Sequence, residues 1–374
     1  MTAQDILERL VSFASVVGTS NADIVAWIAD YAQSHGAHVT TAIGPEGDRA
    51  NLFATIGPRD VPGVILSGHM DVVPAGEADW LSDPFSLRAD GDRLYGRGTS
   101  DMKGFLACAL AALPEFATMP LKRPIHFAFS YDEEAGCKGV PHLIELIPTL
   151  CALPDMCIVG EPSGLRAIRA HKGKAAARIT VRGRSGHSSR PYLGLNAIHA
   201  MTEILTSAVN AANALTHGPF DSNFEPPYSS LQVGTIKGGQ AVNIIPDLCV
   251  VDIEARAISG VSPASLLEPL RKATAALQAD GFDVSFDTLS EYPALSLAAS
   301  APLTALMRDL TGIEPLAAVS YGTEAGLYQA ACIDSIICGP GDIARAHKAN
   351  EFITRDELSA CHNMLRELGT RLSA

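Results

Sequence analysis

Short apolar strands alternate with helix-spaced segments along the first 172 residues, cease to do so near residue 173, and resume near 290. This interruption constrains the fold more than any other feature of the chain. Helical spacing runs over residues 4–16 and 22–36, where Asn21 can cap the second helix and Gly36 can end it. Apolar strands follow at 50–56 and 63–68, then a helix at 102–117, a buried strand at 124–130, a helix at 138–147 and a strand at 156–159. Strands alternating with helices predict an α/β sheet with much parallel pairing. From 173 to 289 the order becomes strand (174–182), helix (195–213), two strands (230–238 and 248–256), helix (262–279) and strand (282–289). A βαββαβ order suits a sandwich of one antiparallel sheet with two helices. A strand at 335–338 and a closing helix at 355–372 return to the first texture. At 374 residues the chain exceeds what one core usually holds. The expectation is an α/β mixed-sheet domain with helices on both faces, formed by 1–172 and 290–374, carrying an inserted βαββαβ domain at 173–289.

In α/β sheets the functional groups collect just past the strand ends, and here the strand ends carry metal-ligand residue types. The segment Val-Ile-Leu-Ser-Gly-His69-Met-Asp71-Val-Val-Pro closes an apolar strand with a His and an Asp two residues apart. In extended chain such residues share a side, so the Asp71 carboxylate is expected to accept a hydrogen bond from one nitrogen of His69. The other nitrogen is then left as a lone-pair donor to a metal. Asp101 follows in Gly-Arg-Gly-Thr-Ser-Asp101-Met-Lys-Gly, Glu133 and Glu134 follow the strand at 124–130, and Glu161 follows the strand at 156–159. His347 comes late, in Cys-Gly-Pro-Gly-Asp-Ile-Ala-Arg-Ala-His347-Lys.

Taken singly, these residues have ordinary alternatives. Asp101 could be a helix N-cap, Glu133-Glu134 a solvated pair, Glu161 a turn residue and His347 a surface His. Taken together at repeated strand ends, they point to a metal site. Asp101, Glu133, Glu134 and Glu161 sum to four negative charges, which two divalent cations would balance. Without cations, clustered carboxylates repel and several must stay protonated. Imidazole with carboxylate suits zinc, with cobalt or manganese as alternatives.

The formal net charge of −13 argues against a nucleic-acid or anionic-membrane partner, since both need clustered Lys and Arg. No apolar run approaches a membrane span. None of the eight Cys residues forms a C-x-x-C pair, and most sit in apolar company, so buried reduced thiols are expected. The first residues lack a basic-then-apolar leader, which gives the expectation of a cytoplasmic protein.

With these motifs in place, the chain resembles the co-catalytic zinc amidohydrolases and peptidases over essentially its whole length. The resemblance rests on the His69-Met-Asp71, Gly-Arg-Gly-Thr-Ser-Asp101, Asp-Glu133-Glu134, Gly-Glu161-Pro and Ala-His347-Lys motifs. It implies two divalent ions, zinc or alternatively cobalt. His69 and Glu161 would hold one, Glu134 and His347 the other, and Asp101 both. It further implies Glu133 as general base, Asp71 as a residue behind His69, and a homodimer formed through the inserted domain. Ala-His171-Lys-Gly, Gly-Arg-Ser-Gly-His187-Ser-Ser-Arg-Pro and Gly-Thr323-Glu324-Ala are similar to the acetylornithine deacetylase branch. That branch implies a small N-acyl amino acid as substrate.

In that resemblance His187 reaches a partner subunit's active site and binds the developing oxyanion; read alone, it is a turn residue. Asn243 and Arg256 resemble positions that bind the substrate carboxylate, a task suited to the guanidinium fork. Glu324 is expected to meet a cationic substrate side chain. Arg190 stands where an Asp often follows the two serines, and Glu254-Ala-Arg256 replaces a usual Asp-x-Arg. These departures leave other acyl groups (succinyl, formyl, carbamoyl) and a dipeptidase or carboxypeptidase activity open. A non-catalytic metal-bearing protein is the reading from another class, and the retained Glu133 argues against it.

Overall fold

A computed structural model describes all residues from 1 to 374. Its contacts divide the chain into two units. The first comprises 1–170, 295–318 and 323–374; the second comprises 171–294 and 319–322.

The first unit is built on a six-stranded sheet. Its strands are β1 (His38–Ile43), β2 (Ala50–Ile56), β3 (Val64–His69), β4 (Ile125–Ser130), β5 (Met156–Pro162) and β6 (Asp334–Gly339). Their order is β1-β2-β4-β3-β5-β6. The two pairings that join β1, β2 and β4 are antiparallel, and the three that join β4, β3, β5 and β6 are parallel. Strands β3 and β4 are buried along their whole length, which is why they read as continuous apolar runs. The parallel register pairs Val64 with both Ile125 and Met156, so the carboxyl ends of β3, β4 and β5 fall on one edge.

Helices cover both faces. On one side lie α1 (Ala3–Val11), α3 (Lys103–Phe116), α5 (Pro302–Thr311) and α7 (Arg355–Ser373); on the other lie α4 (Val140–Leu150) and α6 (Ala325–Ala330). The remaining helix, α2 (Ala22–Ser34), packs on β1 and β2. Helices α1 and α7 each begin with a capping box, Thr2 with Asp5 and Thr354 with Glu357, which satisfies otherwise orphaned backbone donors. Helix α3 is buried on nearly every side, so its sequence is apolar all round rather than striped. A short sheet of Arg88–Asp90, Arg93–Tyr95 and Phe352–Thr354 lies outside the main one.

Several expected elements differ in detail. The first helix stops at Val11 rather than 16. Asn21 stands at the start of α2 but does not cap it. Its amide instead exchanges hydrogen bonds with the backbone of Ala50 at 2.8 and 2.9 Å, tying α2 to β2. Edge strand β1, whose His-Val-Thr-Thr-Ala-Ile sequence has no fully buried residue, and helix α5 were not among the expected elements.

The second unit has the βαββαβ order. Four antiparallel strands run in the order Ser230–Gly238, Leu248–Ala257, Gly173–Arg182, Asp283–Tyr292. Along Leu248–Ala257, Cys249, Val251, Ile253, Ala255 and Ala257 are buried and the residues between them are not. This is the period-two pattern of a sheet covered on one face. Helices Ala197–Leu215 and Glu268–Ala279 supply the cover. The segment at 262–279, expected as one helix, begins as a 3-10 turn at Pro263–Leu267.

Candidate metal centre

The parallel strand ends deliver ligand-type side chains to one place. His69 closes β3, Glu161 lies within the last residues of β5, and Glu133 and Glu134 lie in the turn after β4. That turn is held from several sides. Asp132, in the left-handed region with φ 51°, accepts the backbone N–H of Gly18 at 2.8 Å and a hydrogen bond from Arg49. The Asp71 carboxylate accepts the N–H of Glu133 at 3.2 Å and of Glu134 at 3.1 Å. Asp101 comes from the Gly96–Asp101 loop before α3, and His347 from the loop after β6.

Asp101 faces both imidazoles. Its Oδ1 lies 3.0 Å from His69 Nε2, and its Oδ2 lies 3.3 Å from His347 Nε2. Glu134 Oε1 is 3.1 Å from His347 Nε2, and Glu161 Oε1 is 4.0 Å from His69 Nε2. Two sets of donor atoms, His69–Glu133–Glu161 and His69–Asp101–Glu134, each fall within 4.8 Å of one another. Six of the seven sequence-selected residues of this centre, all but His347, are largely buried; the His347 side chain is 52% exposed.

Crowding of buried carboxylates is visible in their proton affinities. Burial, with Asp101 and Glu133 nearby, raises Glu161 well above the usual carboxylate range. Burial pushes Glu133 up to about 8, with Glu134 and Glu324 adding to it, and Asp71 up to about 6. Hydrogen bonds to the Asp101 and Glu134 carboxylates raise His347 to about 10. For His69, burial disfavours the charged ring, but the Asp101 hydrogen bond and the Asp71 and Asp101 charges outweigh it and raise the pKa. The raised proton affinities of Glu133 and Glu161, together with the two imidazoles beside the cluster, thus relieve the crowded negative charge. Divalent cations fit the same donors: imidazole nitrogen and carboxylate oxygen are their ligand types, and their charge would offset the repulsion.

Two expectations about this centre need correction. The Asp71 carboxylate does not receive the His69 N–H; it lies 3.7 Å from Nδ1. His69 Nδ1 donates instead to the backbone carbonyl of Asp71 at 2.8 Å, and the Asp71 carboxylate is taken up by the N–H groups of Glu133 and Glu134. With Nδ1 directed at that carbonyl, Nε2, which faces Asp101, is the nitrogen left for a metal. Glu324 was expected to meet a substrate cation. It is only 1% exposed, and its carboxylate takes hydrogen bonds from Ser130 at the end of β4 and from Ser67 of β3 at 3.2 Å. Burial pushes it up to about 7. It links β3 to β4 through these two serines.

The second unit carries His187, Asn243 and Arg256. His187 pairs with Ile244 across two loops, and the N–H of Ser188 donates to the carbonyl of Asn243 at 3.0 Å, so His187 and Asn243 are neighbours. His187 Nδ1 lies 2.7 Å from the Ser189 hydroxyl. Arg256 donates to Glu254 at 2.7 Å and to the Tyr292 hydroxyl at 3.2 Å.

Some residues around the centre gave no sequence signal of their own. The Cys137 thiol lies 3.2 Å from Glu133 Oε1. Arg97 and Glu351 form a buried ion pair at 3.0 Å behind Asp101. The only hint of Arg97 was its place between two glycines in the Asp101 motif, and Glu351 lies four residues past His347.

Comparison with known proteins follows the same outline. Residues 65–371 match the sequence profile of Peptidase family M20/M25/M40. The chain is 32% identical over 373 residues to the acetylornithine deacetylase of Aliivibrio salmonicida (strain LFI1238), covering 98% of this chain and 97% of that one. It is 32% identical over 352 residues to that of Edwardsiella ictaluri (strain 93-146), covering 93% and 90%. Among solved structures, an M20 family metallo-carboxypeptidase from Sulfolobus solfataricus superposes with a TM-score of 0.81 at 17% identity, covering 99% of both chains. A tripeptidase from Staphylococcus aureus does so with a TM-score of 0.76 at 18% identity, covering 99% and 98%. At those identities the likeness is one of fold.

Proposed function

We propose that this chain, which belongs to Peptidase family M20/M25/M40 and is a hydrolase of amide bonds, removes the acyl group of an N-acyl amino acid. Our specific reading is hydrolysis of N2-acetyl-L-ornithine to L-ornithine and acetate, a step of arginine biosynthesis. The observation that carries the chemistry is Asp101 presenting one carboxylate oxygen to each of two imidazoles, with Glu133 beside it and free of the ion pairs that occupy Glu134. The 32% identity over nearly the whole of both chains supports the substrate.

In this reading His69 and Glu161 would hold one divalent cation, Glu134 and His347 a second, and Asp101 would contribute to both. Zinc is the expected ion and cobalt the alternative. Such a pair would supply the positive charge that acidifies water and polarises an amide carbonyl. The protein side chains do the rest. Glu133 accepts a proton from the attacking water and returns it to the leaving amine. Asp71 holds Glu133 and Glu134 by their backbone, so that adjacent side chains can serve different partners. His187 donates to the oxygen on which negative charge develops. Arg256 and Asn243 bind the α-carboxylate, with the guanidinium fork as the charged contact. We further propose a homodimer through the second unit, with His187 acting across the interface. No helix is long and apolar enough to cross a membrane, and all eight cysteines are free; we propose a cytoplasmic location.

A substrate panel tests the reading. Protein reconstituted with zinc or with cobalt is assayed on N-acetylornithine, N-succinyl-diaminopimelate, N-formyl and N-carbamoyl amino acids, and dipeptides. N-acetylornithine is expected to give the highest kcat/KM. Preference for another acyl group, or for a dipeptide, moves the substrate within the family. Failure of every amide in metal-replete protein overturns the enzymatic reading.

A further inference from the structure

The Arg97–Glu351 pair lies outside the ligand set, yet every loop that carries a late or shared ligand is tied to it. The two side chains are each 1% exposed. Oε1 of Glu351 accepts the backbone N–H of Ser100 at 2.9 Å and of Asp101 at 3.0 Å. Oε2 accepts the N–H of Gly98 and Nη1 of Arg97, each at 3.0 Å. The loop therefore wraps its amides inward around a buried anion. With the Asp101 N–H turned inward, its carboxylate is presented to His69 and His347.

The guanidinium extends the same tie in two further directions. Nη1 also donates to the carbonyl of Lys348 at 3.2 Å, next to His347. Nη2 donates to the carbonyl of Pro74 at 3.3 Å and to Glu77, in the loop that follows Asp71. The His347 loop needs such holding. His347 and Asn350 both sit in the left-handed region, at φ 59° and 58°, a conformation that costs a residue with a Cβ about 1–2 kcal/mol. Asn350 adds its own clamp, accepting from Leu81 N–H at 3.0 Å and donating to the carbonyl of Asp79 at 2.8 Å.

We propose that Glu351, paired with Arg97, is a positioning residue that holds Asp101 and His347 in register and thereby sets the affinity of the cation they share. The proposal rests on the reading of those two side chains as metal ligands. Its physical basis is that an amide at position 351 could offer only one acceptor oxygen. Its NH2 group would then face backbone donors at 2.9–3.0 Å, and the loop would have to turn Asp101 away.

The test is a metal titration on full-length protein stripped by chelation, followed by calorimetry and by the visible spectrum of bound cobalt. Glu351→Gln is expected to weaken cation binding about 10- to 100-fold, the scale on which partners behind metal ligands act, and most at the equivalent that His347 also holds. Glu351→Asp, which restores the charge on a shorter stem, is expected to recover part of that loss. Leu365→Ala, a core change in α7, serves as the control for general destabilisation. Glu351→Gln binding both equivalents within threefold of wild type, or losing no more affinity than Leu365→Ala, overturns the proposal. If Glu351→Gln is insoluble, Arg97→Lys carries the same test, because an ammonium cannot reproduce the planar fork. Wild-type protein that takes up no cation overturns both this proposal and the ligand assignment; normal uptake with unaffected variants overturns this one alone.

Discussion

The His69 ring donates from Nδ1 to the backbone carbonyl of Asp71 at 2.8 Å, while the Asp71 carboxylate stands 3.7 Å away. The tautomer of His69 thus depends on the backbone at 71 and not on the side chain. The carboxylate serves the Glu133-Glu134 turn instead.

Asp71→Asn should therefore separate metal binding from turnover. The backbone carbonyl remains, so cation affinity at His69 is expected to stay within a fewfold of wild type. One N–H of the 133–134 turn loses its acceptor, and kcat is expected to fall about 10- to 100-fold. Parallel metal titration and steady-state kinetics check this; a loss of affinity as large as the loss of kcat would contradict it.

Glu133→Gln should keep both cations and lose at least about a hundredfold in kcat, the usual scale for a removed acid–base group. The substitution keeps the shape of the side chain and removes its ability to take a proton. Near-normal turnover in this variant would sink the assignment of Glu133 as general base.

Glu324→Gln should impair hydrolysis of N-acetylornithine and N-acetylmethionine by similar factors. The carboxylate is 1% exposed and bonded to Ser130 and Ser67, so it acts on the strands and not on the substrate's side chain. A selective loss on N-acetylornithine, measured as kcat/KM, would restore a direct substrate contact.

His126 makes stability depend on pH away from the metal centre. It lies in β4, fully buried, with Nδ1 2.9 Å from the Thr55 hydroxyl, its ring stacked on Phe53 and Nε2 without a partner. Burial lowers its pKa to about 4, below the ordinary value of about 6.5. Between those values the unfolded chain binds a proton that the folded chain refuses. This contribution is therefore intact above about pH 6.5 and is lost as pH falls toward 4, by up to roughly 3 kcal/mol. His126→Gln should flatten that acid limb. Thermal or denaturant unfolding of both proteins across pH 4–7 checks it, and parallel curves would show that His126 is not the group responsible.

The candidate ligand residues and the two-texture organisation were legible in the sequence for a physical reason. Continuous apolar runs mark doubly covered strands such as Val64–His69 and Ile125–Ser130, and functional groups gather just past such strand ends. The alternation along Leu248–Ala257 likewise follows from one covered face. Less legible was β1, an edge strand with no fully buried residue, which buries too little for periodicity to stand out.

The sequence by itself determined which residue types stand at the strand ends, and so the candidate ligands His69, Asp101, Glu134, Glu161 and His347 with Glu133 beside them. Tertiary structure alone decided who partners whom. Spacing of two residues suggested that Asp71 would bind His69 through its carboxylate, but that carboxylate is held by the Glu133-Glu134 turn and the task falls to a carbonyl. Nothing local marks Glu324 as a buried brace across two strands, or Glu351 as the anion inside the Asp101 loop. Their partners lie about 190 to 260 residues away along the chain. A hydrogen bond between such positions depends on how the strands and loops pack, and side-chain spacing along the chain carries no record of it.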